Sequence, residues 1–232
     1  VALLAAEADA GRNGEYTVGG KPKMKYEFTG EVKNIGGKIL HRIRAVRDIP
    51  EHNVKAGDLG GWIEAERNLS QNGAAWVTGA ACVMGKARVT GAALVTNSAR
   101  VMGEALVTGN ALVMDSAWVM DLACVTGSAR VTGSARVTDN ACVAGEARVT
   151  GNARVMQSSD CIAIGAIGSR NGTSTFYRGK DGEIYVSCGC FNGTIDDFAA
   201  EVKQVHAGTK HERTYLLAIE LAKAQIATEE ES

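Results

Sequence analysis

His41, His52, His206 and His211 are the side chains of this sequence best suited to moving a proton near neutral pH. Cys188-Gly189-Cys190, with His206 and His211 downstream, carries the donor types of a zinc site. The single residue between those cysteines is tighter than the usual two to four, however, and no second cysteine pair follows. They read as thiols at a strand end that behave as small hydrophobes, and no metal, cofactor or catalytic residue is assigned. The segment Ser169-Arg170-Asn171-Gly172-Thr173-Ser174-Thr175 is dense in hydrogen-bonding side chains and includes a guanidinium. With Arg178 and Lys180 it can line a small anionic pocket, since Arg suits phosphate and carboxylate. Asn-Gly with Ser and Thr is also ordinary loop chemistry. The expected ligand-binding residues are Ser169, Arg170, Asn171, Thr173, Thr175, Arg178, Lys180, His206 and His211, all in one terminal module.

What positions these residues is a repeat. Valine occupies every sixth position from Val77 to Val155, fourteen in all, and alanine stands two before each. Ala and Val alternate with variable residues, so they share one face of a short strand. Two residues after Val comes Gly, Asn or Asp, the types that tolerate a left-handed backbone, so the chain turns there. Strand plus turn every six residues gives a three-sided coil of 18 residues, stacked at about 4.8 Å. Five coils make a rod of roughly 25 Å. The fold expected is mainly β: a left-handed parallel β-helix of about five coils, with an N-terminal β cap and a small C-terminal ββαα domain.

The pattern resembles the hexapeptide-repeat left-handed β-helix superfamily, with a large hydrophobic residue followed four later by a small one (Val77 to Ala81, Val83 to Ala87). Its wording, Val-x-Gly-Asn-Ala-x-Val, also resembles uncharacterised repeat proteins encoded by phages and prophages. The flanks carry the same likeness: Lys25-Tyr-Glu-Phe28, Arg42 to Arg47 and Val54 to Glu64 before the repeats, Phe176-Tyr-Arg178 and Cys188-Gly-Cys-Phe191 after them. The likeness covers about residues 24–226. It implies a cytoplasmic protein (host cytoplasm if phage-encoded) that assembles through flat faces, with a homotrimer favoured.

Folding the sequence at period 18 gives three outer columns on which function should be written. The second side stacks Met84, Met102, Met120 and Met156 beside Trp118; the first carries Leu94 and Leu112. A soluble monomer seldom presents such a strip, so these seven residues are the expected oligomer interface, although some could instead pack beneath the terminal domains. In the last coils Arg130, Arg136, Arg148 and Arg154 replace the apolar residues, as a solvated end or an anion contact.

Residues 1–23 read as an extension or linker without a secretion signal's basic start. Residues 24–73 form the cap and a degenerate first coil, with a hairpin about Gly36-Gly37. The β-helix runs over 74–168. In the domain at 169–228, two strands precede a helix capped by Thr194 and a second from about Glu212. An acidic tail follows at 229–232.

A net charge of −1 gives no default toward nucleic acid or anionic membranes, and no apolar run of about 18 residues could span a bilayer. The six cysteines form no disulfide framework and read as reduced thiols. All histidines lie outside the repeats, and no inserted loop breaks the period, which argues against the acyltransferase chemistry that this fold often hosts. The function expected is a non-enzymatic oligomeric scaffold of phage type that binds a host protein or a small anionic ligand. By analogy it would antagonise host defence. The alternatives are an acyltransferase-like enzyme and a virion or fibre component.

Overall fold

The computed structural model describes residues 24–226; the extension expected at 1–23 and the acidic tail at 229–232 lie outside them. Fourteen two-residue strands, from β4 (Trp76–Val77) to β17 (Arg154–Val155), recur every six residues. They pair in parallel into three sheets and make a parallel β-helix of about five coils. One sheet stacks Val77, Val95, Val113, Val131 and Val149; the next Val83, Val101, Val119, Val137 and Val155; the third Val89, Val107, Val125 and Val143. These are the three columns that the period of 18 predicts. The repeat valines and alanines are all buried, each valine contributing roughly 1.5–3 kcal/mol relative to exposure.

Backbone conformation at the corners sets the period. Each turn residue, whether Gly or one of Asn97, Asp115, Asp121 and Asp139, has positive φ. At Gly109 (φ 71°) an added Cβ would lie 2.8 Å from the Gly127 carbonyl oxygen, so the coil below also demands glycine there. Asn and Asp corners gain side-chain links between coils instead: Asn97 Nδ2 donates to Asp115 Oδ1 at 2.9 Å. The next corner position holds Gln157, whose φ is −137°, and there the coiling stops.

Both ends are closed by antiparallel structure. Strands β1 (Tyr26–Ile35) and β2 (Lys38–Ala45) form a hairpin, and β2 pairs antiparallel with β3 (Leu59–Ile63). β3 then pairs in parallel with Cys82–Val83, so the cap prolongs the second-side sheet. Ile63 pairs with Val83 and Leu69 with Val89, each twenty residues on, whereas regular coils repeat at 18. The two extra residues fall between Leu69 and Val77, where the spacing is eight.

At the other end, β18 (Cys161–Ile167) pairs antiparallel with β19 (Gly172–Arg178), followed by β20 (Ile184–Cys188) and β21 (Phe191–Thr194). Helices α1 (Ile195–Val205) and α2 (Lys210–Ile226) complete this module. The terminal sheet thus has four strands where two were expected, and Cys161–Ile167 belongs to it although the sequence reading ran the β-helix to 168. Ile162, Ile164 and Ile167 pack on the helices and are no relics of the coil. Alternation along β19 decides the arrangement: Tyr177 joins the core of the β-helix, while its neighbour Phe176 joins that of the helices.

Ala117 is fully buried against the next coil, whereas Leu122 is 60% exposed. Ala117→Leu should lower stability by about 1–3 kcal/mol through overpacking, and Leu122→Ala should change it by less than about 0.5 kcal/mol. Thermal denaturation of both variants checks this; equal melting temperatures would contradict the packing.

Candidate functional site

The residues expected to bind a ligand are divided among three places. The first is a seam between the last coil and the terminal sheet. Thr175 Oγ1 accepts from the Arg148 amide at 2.9 Å, and Thr173 Oγ1 donates to Glu146 Oε2 at 2.9 Å. Arg178 Nε pairs with Asp160 Oδ1 at 3.0 Å, and its guanidinium also donates to the Ile226 carbonyl. Asp160 in turn accepts from the amides of Met156 and Gln157. The Lys180 amide donates to the Asn152 carbonyl at 3.0 Å. These groups dock the terminal module on the β-helix.

The second place is the β18–β19 turn, which exposes Ser169, Arg170 and Asn171. The third is the α1–α2 connection, where the His206 and His211 rings lie 5.9 Å apart. Tyr215 links these two places. Its ring is 5.5 Å from His206, and at Gly168 an added Cβ would lie 1.7 Å from its hydroxyl. Burial pushes the Tyr215 hydroxyl up to about 12, with Cys188 adding to the shift and Arg170 opposing it. The histidines and Arg170 therefore share a neighbourhood, and Arg178 is held at the seam.

The expected apolar interface is broken up. Met84 is buried with Leu40 and Cys82 under the N-terminal hairpin, so it is unavailable to a neighbouring chain; the cap expected over residues 24–73 lies partly along this side. Trp118 lies between the guanidinium groups of Arg100 and Arg136, at 5.1 and 4.8 Å from its ring centroid. Met102, Met120, Leu94 and Leu112 are half-buried, and Met156 is exposed near the far end.

Sequence reasoning missed a convergence of basic side chains at the N-terminal corner. Lys25, just before β1, is fully buried; its Nζ donates to the Ala75 carbonyl at 2.7 Å and its amide to Gln71 Oε1 at 2.8 Å. Arg47 follows β2 and reaches the Gly73 carbonyl at 3.4 Å. A short 3₁₀ turn at Pro50–His52, closed by Asn53 in the left-handed region and by the Ile49–Val54 bridge, lays His52 against Ala92 of the first regular coil. Arg47 Nε and His52 Nε2 are enclosed without a hydrogen-bond partner.

The electrostatics follow from this packing. Burial, and secondarily the Arg47 charge, push the Lys25 ammonium down to about 7. Burial also lowers His52, with Lys25 contributing to the drop; a hydrogen bond to the Ala92 backbone and the Glu51 carboxylate oppose it. From His52 a groove of 280 Å³ runs along the coil corner past Asn110, Leu112, Ser128 and Arg130. A larger hollow of 430 Å³ lies on α2 between Gly208 and Glu220, away from these cations. The missed signal was spatial: Lys25, Arg47 and His52 sit at irregular spacing in the cap, and only the fold-back of residues 46–58 brings them to one corner.

Among the described residues no helix is long and apolar enough to cross a membrane. No protein-family model matches the chain, and no curated protein matches it either.

Two outcomes follow. Lys25 titrates near 7 when folded and near 10.5 when unfolded, so between those values the unfolded chain holds the extra proton. Stability must then rise with pH across that window, by up to about 1.4 kcal/mol per pH unit from this group. Urea denaturation at pH 7 to 9.5 should show this rise as the difference between the wild type and Lys25→Met. Arg178→Met should cost about 3–5 kcal/mol, because it leaves the Asp160 carboxylate buried without its cation, with only the Met156 and Gln157 amides as donors. A loss below about 1 kcal/mol would show that the seam does not depend on this pair.

Proposed function

We propose that this protein is a non-enzymatic β-helix scaffold that holds a small anionic ligand, of the phosphate or carboxylate class, at its N-terminal corner. The observation that carries this reading is the approach of Lys25, Arg47 and His52, with two enclosed nitrogens that have no hydrogen-bond partner. Clustered cations repel, and an anion among them removes that penalty while accepting charge-assisted hydrogen bonds. Arg130, Ser128 and Asn110 supply further donors along the groove, and Leu112 an apolar wall. Glu51 is the carboxylate that acts on His52, and it stands on the exposed side of the turn.

In this reading the chain is a phage-type relative of the hexapeptide-repeat left-handed β-helix proteins and works in the host cytoplasm, capping a host protein or sequestering a signalling nucleotide. The repeat wording and the quoted flanks support that part. A homotrimer would use the half-buried Leu94 and Leu112 of the first side, which border the groove, so that a second copy would wall it.

One observation favours the acyl-transfer alternative: His52 does reach the coils, although it lies outside the repeats in sequence. Its lowered proton affinity keeps the imidazole neutral at pH 7, as a general base requires.

Calorimetry of the full chain with inorganic phosphate and a nucleoside monophosphate, at pH 6.5 and 8.5, tests the proposal. Binding should weaken at the higher pH, because the anion is held best when Lys25 carries its proton. Arg47→Gln should weaken binding more than tenfold, about 1.4 kcal/mol. Affinity unchanged in both Arg47→Gln and Lys25→Met would remove the site. Turnover of an acyl-coenzyme A that vanishes in His52→Ala would transfer the assignment to the enzyme.

A further inference from the structure

Two thiols stand one above the other on the third side of the β-helix. Cys124 and Cys142 occupy equivalent positions in neighbouring parallel strands and pair in register. Each precedes a valine that fills the core, Val125 or Val143, so both side chains leave the sheet on its outer face. Both are half-buried and free of any disulfide. Strand pairing sets the two rungs about 4.8 Å apart. Leu106 occupies the rung before Cys124, and the half-buried Cys161 of β18 lies near Cys142, so the pair has an apolar and a thiol neighbour.

We propose that Cys124 and Cys142 form a two-coordinate site for a soft, thiophilic d¹⁰ cation of the Cu(I) class. Thiolate sulfur selects such cations over harder ones. Two metal–sulfur bonds of roughly 2.3 Å laid end to end span about 4.6 Å, which matches one rung. A linear d¹⁰ ion needs only these two ligands. Zinc takes four, and among the described residues no group of three or more His, Cys, Asp or Glu side chains could hold a metal ion.

Both sulfurs bind as thiolates, so the thiol protons pass to solvent on metal binding without any change of oxidation state.

The test is anaerobic titration of the fully reduced protein with Cu(I) against a chromophoric Cu(I) chelator. One equivalent should bind per chain, and an excess of Zn(II) should leave it in place. Cys124→Ser and Cys142→Ser should each lose that equivalent while circular dichroism still reports the β-helix; Cys190→Ser, at an exposed position, should retain it. If a serine variant fails to fold, the same readout applies to Cys124→Ala and Cys142→Ala. Equal Cu(I) binding by the wild type and by the folded double variant would overturn the proposal, as would loss of the equivalent in Cys190→Ser alone.

Discussion

A stack of coils buries its valines only where another coil lies above and below, and a β-helix therefore has a bare core at each end. The first and last coils also present backbone groups with no ladder partner, which cannot be left buried and unmet. Residues from both flanking segments answer this constraint. At the N-terminal end Tyr26 sits on the core and its hydroxyl donates to the Leu69 carbonyl at 2.8 Å. Asn68 Nδ2 donates to the carbonyls of Ala87 and Gly85, and Lys25 Nζ to that of Ala75. At the C-terminal end Tyr177 takes the place of Tyr26, and Asp160 and Thr175 accept the amides of the last strands.

The two ends solve the same problem with opposite electrostatic outcomes. At the C-terminal end the buried Asp160 faces Arg178, and the charges cancel within one hydrogen-bonded pair. The N-terminal end uses an ammonium as its donor to a carbonyl, brings a guanidinium beside it, and sets an imidazole within reach of both fields. An end cap needs donors for orphan carbonyls, and Lys25 and Arg47 both donate to one. It does not require two cations side by side, since a neutral amide such as Asn68 does the same work without repulsion.

How much was legible in the sequence divides along the same line. The valine columns, the turn residues and the three sides follow from local rules, because each coil contacts copies of itself at a fixed offset. The end of the coiling was also written locally, in Gln157 where Gly, Asn or Asp had stood in every earlier coil. What lay hidden depends on contacts between unlike segments. Arg178 in a polar stretch reads as a ligand-binding residue until Asp160, eighteen positions earlier, is found against it. Met84 reads as outward-facing, and it is so with respect to its own coil; the cluster that covers it brings in Leu40 and Ile35 of the hairpin and Trp62 of β3. His52 reads as remote from the repeats because chain distance to Ala92 is forty residues, and the 3₁₀ turn that joins them has no periodic signature.

A perfectly regular β-helix offers no unique place to bind anything, since every rung repeats the last. Specific chemistry must come from positions where the repeat is broken, and the described chain breaks it at the ends and in the outer columns. The C-terminal break is satisfied internally. The N-terminal break leaves a buried lysine held near 7 and two nitrogens without a hydrogen-bond partner, a local cost that packing alone does not justify. The groove that leads away from it runs along the coil axis, so successive corner residues, Asn110 and Ser128, present their side chains one rung apart beside Leu112. An anion anchored at the cap would meet these as a graded series, polar on one edge and apolar on the other. That geometry discriminates by the length and polarity of what is attached to the anionic group, which the cations alone could not do.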